Sequence, residues 1–227
     1  MYWFDPLYLV FIAPALLLAI WAQYRVRATY AEASQVPAPL SGAAAARHVL
    51  DTAGLHEVGI EIAEGFLSDH YDPHDRVLRL SPEVYHERTM AAVGIAAHEA
   101  GHALQHAESY APLLVRNAAV PAANFGSSLG ILLLFVGLAM ALQPVIWAGI
   151  ALFAAVVFFQ VVNLPVEFNA STRARHQLAA LGIVDPQGMQ YVSRVLNAAA
   201  LTYVAATLQA ILTLAYYILR ASSRRDD

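Results

Sequence analysis

Four apolar runs, at about 7–24, 125–142, 145–164 and 201–219, constrain this 227-residue chain more than any other feature. Each is long enough to cross roughly 30 Å of hydrocarbon. Composition agrees: 59% of residues are hydrophobic, 13% are charged and the mean hydropathy is +0.51, whereas about a quarter of an ordinary soluble domain is charged. The expected fold class is therefore mainly α, a multi-pass membrane protein of about four spans carrying a small α/β module at the membrane surface.

The ends of these runs refine the expectation. The start, Met1-Tyr2-Trp3-Phe4-Asp5, lacks the positive region of a secretory signal, and no small-x-small cleavage site follows, so the first run reads as a retained anchor. Trp3, Tyr8, Trp21 and Tyr24 lie near its ends, where amphipathic rings favour the headgroup region. Gln143-Pro144 reads as the turn between the second and third runs. Thr202, Thr207, Gln209 and Thr213 interrupt the fourth, which could instead be a buried or interfacial helix. In a four-span arrangement Arg25, Arg27, Arg47, Arg76, Arg79, Arg88, Arg116, Arg173, Arg175 and Arg194 share one side, expected to be cytoplasmic in a cell (inner) membrane. Arg220, Arg224 and Arg225 oppose that orientation, softened only by Asp226 and Asp227.

Charge and cysteine usage narrow the chemistry. The net charge of −4 comes from 17 acids against 13 Arg with no Lys, so no basic surface suggests nucleic acid. Having no Cys excludes disulfides, iron–sulfur clusters, thiol catalysis and Cys-ligated zinc.

The mixed-polarity stretches, about 25–117 with 165–200, form the polar module of what reads as one membrane-integrated domain. Ser34 to Pro39 reads as a loop, and Ser41 caps a helix through about Thr52 that Gly54 ends. Val58 to Ala63 and Arg76 to Leu80 read as strands of a hairpin or small sheet. Between them Ser68 to Asp75 reads as a polar turn, either solvated or bordering an active site through His70 or Tyr71, and Ser81-Pro82-Glu83 starts the next helix.

The chemistry centres on His98-Glu99-Ala100-Gly101-His102, within an apolar, proline-free stretch from Met90 to Ala107 that reads as a helix. Positions four apart lie one above the other, so His98 and His102 can offer ring nitrogens to one Zn²⁺, with Glu99 placed to take a proton from the activated water. The plainer alternative is two histidines on an ordinary helix. His106 extends the stripe, but three such rings on a straight helix cannot reach one ion, so it is expected beside the site or facing solvent. A catalytic zinc needs a third protein ligand, and Glu167 stands out, directly after the third span in Asn163-Leu-Pro-Val-Glu-Phe-Asn-Ala-Ser171. A metal would compensate a carboxylate at the membrane boundary; so would a helix N-terminus just after Pro165.

The chain resembles the bacterial YugP-type neutral zinc metallopeptidases. His98 to His106 fits their H-E-x-G-H-A-x-Q-H run and Leu164 to Ser171 their L-P-V-E-F-N-A-S run. Ser68 to Tyr85 and Leu196 to Ala206 are similar to two further family blocks. The resemblance implies a gluzincin-like membrane peptidase with His98, His102 and Glu167 as ligands of one zinc ion and Glu99 as the catalytic carboxylate. More distantly the layout looks like the HtpX-type and CAAX prenyl proteases, whose E-x-x-x-D aspartate supports a zinc-binding histidine. Ser171 stands in that place, so orientation of His98 or His102 is expected from elsewhere, with Asn169, Asp69 and Asp72 as candidates.

The function expected is a membrane-bound zinc metallopeptidase, a hydrolase of metalloendopeptidase type, in which Glu99 is general base and then acid at a juxtamembrane site. A polypeptide, membrane-associated in the lipid bilayer, is the expected substrate, presented by a membrane-protein adaptor or within a homo-oligomer. It is expected to add to a strand edge, at Arg76 to Leu80 or the strand before the turn. His70, Tyr71, Arg173 and His176 are the candidate oxyanion donors. A non-catalytic zinc-binding scaffold is the alternative, against which an intact Glu99 argues. A zinc transporter fits less well, because the spans carry essentially no charge.

Overall fold

Regular hydrogen bonding, more than hydropathy, sets where the helices of this chain end. The computed structural model describes residues 6–65 and 68–223. Expectations for Met1 to Asp5, Trp3 among them, and for Arg224 to Asp227 lie outside those residues. The order is α1 (Pro6–Ala33), α2 (Gly42–Thr52), β1 (Gly59–Ile62), β2 (His70–Asp72), β3 (Val77–Leu80), α3 (Pro82–His86) and α4 (Met90–Ala107). Then follow α5 (Ala111–Phe125), a π-turn (Gly126–Gly130), α6 (Ile131–Ala139), α7 (Gln143–Ala180) and α8 (Pro186–Ser223). Helix dominates, and four helical stretches, Pro6–Ala33, Ala111–Ala139, Gln143–Ala180 and Pro186–Ser223, are long and apolar enough to cross a membrane.

Each stretch outruns its apolar window because nothing breaks the helix where the apolar residues stop. The clearest case is α7, which passes through Pro165. An interior proline removes one backbone hydrogen bond without ending a long helix packed elsewhere. No helix N-terminus follows Pro165, so the dipole cannot be what compensates Glu167. Gln143-Pro144 is likewise not the turn: Met140 to Leu142 turn the chain, with Ala141 at φ +55°, and Gln143 and Pro144 open α7. Proline costs little there, since a first-turn N–H has no helical partner.

The chain divides into two units. One takes in the described parts of Met1–Trp21, Leu114–Pro165 and Leu201–Asp227. Its buried cluster is Leu134, Ile146, Ile150, Phe153 and Ala221. α6 approaches α7 closely because a Cβ on Gly137 would lie 2.8 Å from Ile146, and one on Gly149 2.8 Å from Leu134.

The other unit, Ala22–Leu113 with Val166–Ala200, holds a three-stranded sheet in the order β1-β3-β2. β1 pairs with β3 in parallel, from Gly59 opposite Val77 to Ile62 opposite Leu80. The two strands therefore do not form a hairpin. Nor is Ser68 to Asp75 only a turn, since His70 to Asp72 pair antiparallel with β3 on its far side. Asp72 closes that β2–β3 hairpin: its Oδ1 accepts the His74 and Asp75 N–H groups, and its Oδ2 meets Arg79 Nη1 at 2.6 Å. Arg79 also pairs with Asp75 at 2.7 Å. Alternation on β3 sends Leu78 and Leu80 into a core with Val49 and Leu50 of α2, Val93 and Ala97 of α4, Leu178 of α7 and Val192 of α8. Ser41 caps α2 by accepting the Ala44 N–H, Gly54 follows its end at φ +75°, and Thr89 caps α4 by accepting the Ala92 N–H.

Candidate metal centre

Two elements of that second unit supply the site. α4 is helical from Met90 to Ala107, the span its proline-free apolar spacing predicts, so His98 and His102 stack one turn apart with ring centroids 4.8 Å from each other. α7 brings Glu167 across. The close approach rests on Gly101, where a Cβ would lie 2.7 Å from the Ala170 carbonyl oxygen. No side chain fits between the helices at that level.

Glu167 Oε2 lies 3.3 Å from His98 Nε2 and 3.6 Å from His102 Nε2. All three side chains are largely buried, and Glu167 Oε2 makes no directed hydrogen bond. A buried carboxylate oxygen left in that condition is costly unless a cation satisfies it. Ligand atoms on a tetrahedral zinc, each about 2.0–2.2 Å from it, would stand roughly 3.3–3.5 Å apart. The observed separations fit, and among the described residues His98, His102 and Glu167 form the group that could hold a metal ion, their ligand atoms all within 4.8 Å of one another. Burial works against charge on His102, but the Glu167 and Glu99 carboxylates beside it outweigh burial and hold its imidazole above the usual range.

Glu99, the residue after His98, is buried. Its charge also reaches Asp69: burial, then repulsion from Glu99, pushes the Asp69 carboxyl up, while Ser81 steadies it by donating its N–H at 2.8 Å and its hydroxyl at 3.1 Å.

Ser171 Oγ lies 3.1 Å from His98 Nδ1, so the residue in the aspartate's place does contact a histidine of the group, correcting the expectation that orientation comes wholly from elsewhere. His102 Nδ1 is met by Gln105 Oε1 at 3.0 Å. Gln105 is fully buried and was not among the sequence candidates; its position three residues past His102 on the helix was the available signal. Neither Asp69 nor Asp72 takes this role, being engaged with Ser81 and Arg79. His106 Nδ1 pairs with the Tyr71 hydroxyl at 2.8 Å. Of the proposed oxyanion donors, Arg173 is spent on Glu108, Oε1 and Oε2 both at 2.7 Å, and on Asn169 Oδ1. His70 and His176 are exposed. β3 is paired on both sides, so Arg76 to Leu80 offers no free edge, whereas β1, the strand before the turn, lies at an edge of the sheet.

Comparison with known proteins follows the same lines. The family model described as "Putative neutral zinc metallopeptidase" matches residues 8–222. The chain is 43% identical over 223 residues, 97% of its own length and 99% of the relative's, to "Putative membrane protease YugP" of Bacillus subtilis (strain 168). No solved structure matches.

Proposed function

Because the chain belongs to the neutral zinc metallopeptidase family, we propose that it is a membrane-bound, gluzincin-like peptidase that hydrolyses polypeptide at this centre. The observation that carries the reading is the meeting of His98 Nε2, His102 Nε2 and Glu167 Oε2 around one point, with the Glu99 carboxylate on the adjoining helix position. His98, His102 and Glu167 would hold one zinc ion. Zinc bound there would supply Lewis acidity and lower the pKa of water toward about 7. Glu99 takes the proton from the attacking water and returns it to the leaving amine. Burial of the group excludes competing water and strengthens each charge interaction.

The substrate runs extended along β2. That strand is an edge of the sheet, and its Tyr71 reaches α4 through His106. The active site faces the cytoplasm, as the arginine distribution argues, and the substrate is a membrane-associated polypeptide. Zinc stoichiometry and cleavage of an unfolded model protein, measured in detergent, test the reading. Glu99→Gln should retain about one zinc and lose cleavage by about 10²- to 10⁴-fold, whereas Glu167→Gln should lose the metal. A wild type that binds zinc yet cleaves no better than Glu99→Gln would make the chain a zinc-binding scaffold instead.

A further inference from the structure

A guanidinium can only donate hydrogen bonds and a backbone carbonyl can only accept them, and in this chain the two fix the polarity of a chain of amides, half-buried at Asn169 and buried at Gln105, that ends on His102. Arg173 Nε donates to Asn169 Oδ1 at 2.7 Å, so that oxygen is an acceptor. Gln105 Nε2 stands 3.0 Å from the same oxygen and 2.8 Å from the Val166 carbonyl oxygen. Both neighbours accept, so the Gln105 NH₂ must face them and Oε1 must face His102. The reverse orientation would set oxygen against oxygen twice, inside a fully buried side chain. His102 Nδ1, 3.0 Å from Gln105 Oε1, must then carry the proton. In the neutral ring that binds a metal, the lone pair of His102 is then on Nε2, the nitrogen turned toward Glu167.

We propose that Gln105 is the positioning residue for the metal ligand His102, and that Asn169 and Arg173 lock its amide in the one orientation that presents His102 Nε2 as a ligand. A neutral amide thereby does what a carboxylate does for many zinc-bound histidines. It also joins the two ligand-bearing helices, since Gln105 lies on α4 and Val166 and Asn169 flank Glu167 on α7. His98 is held less firmly. Its partner Ser171 has a hydroxyl that rotates to donate or accept and so selects neither tautomer.

The proposal rests on the metal-site reading, and zinc affinity of the full chain in detergent, by competition with a chromophoric chelator, tests it without reference to activity. Gln105→Leu should bind zinc about 10- to 100-fold more weakly than wild type, and Ser171→Ala should lose less. Asn169→Asp, whose oxygens still accept from Arg173 and Gln105, should stay within about threefold of wild type, while Asn169→Leu should weaken binding by about tenfold or more. The visible absorption of the cobalt-loaded protein should change in Gln105→Leu and not in Asn169→Asp. Gln105→Leu that folds and binds zinc within about twofold of wild type overturns the proposal. If that variant does not fold, equal affinities for Asn169→Asp and Asn169→Leu overturn it. A wild type that binds no zinc overturns the metal-site reading itself.

Discussion

At the scale of single residues, charge placement shows how a short polar segment becomes structure. Arg79 beside Asp72, together with the His74 and Asp75 N–H groups, lowers the Asp72 carboxyl to about 2, against about 3.9 in an unfolded chain. The native state therefore binds fewer protons than the unfolded state between those values. The contribution of Asp72 is fully present above about pH 4 and is lost as pH falls through about 2. Urea midpoints should separate wild type from Asp72→Asn at pH 7 and converge near pH 2. An unchanged gap would assign the hairpin's stability to something other than this ion pair. The zinc-ligand candidates were legible at this scale, because two imidazoles four apart on a helix state their own geometry. Gln105 was not, because a glutamine three residues from a histidine acquires its meaning only when Val166 and Asn169 arrive from a helix some sixty residues later in the chain.

At the scale of elements, the α4–α7 contact decides whether ligands on two helices can meet. Replacing a helical glycine by alanine gains up to about 1 kcal/mol from propensity, so a loss at Gly101 would isolate packing. Gly101→Ala drives a methyl against the Ala170 carbonyl oxygen, a rigid neighbour, and should cost about 1–3 kcal/mol overall while weakening zinc binding. Gly94→Ala on the same helix meets the side-chain carbon Val192 Cγ1 at 3.1 Å, which a shift of a few tenths of an ångström relieves, and should cost less than Gly101→Ala. Thermal melts and zinc competition on the pair would check both. Helix α4 was readable from apolar spacing and the absence of proline, and α2 from Ser41 and Gly54. The sheet was not: β1 and β3 were recognisable strands, but their parallel pairing depends on β2. His70 to Asp72 is three residues long and too polar for alternation to betray a strand.

At the scale of the whole molecule, metal and membrane each leave a measurable mark. An ion that binds only the folded state stabilises it by mass action, by about 4 kcal/mol when free ion is a thousandfold above Kd. Chelation should therefore lower the melting temperature of the wild type and leave that of Glu167→Gln unmoved. Since the chain has no cysteine, a single His74→Cys, at a side chain almost fully exposed, gives a unique label site. A membrane-impermeant thiol reagent should modify it only when the cytoplasmic face is open. Labelling in intact cells would reverse the orientation argued from arginine. Hydropathy by itself determined that the chain holds four helices fit for a membrane, because transfer free energy is a sum over local composition. The histidine spacing by itself determined that two imidazoles stack one turn apart on a helix, because helical geometry is local. Only the tertiary structure decided that α7 runs unbroken through Pro165 to bring Glu167 opposite both histidines, that Ser171 contacts His98, and that Val166 and Asn169 hold the Gln105 amide. Those contacts join residues about sixty to seventy positions apart, and no local rule of propensity or periodicity carries information over that distance.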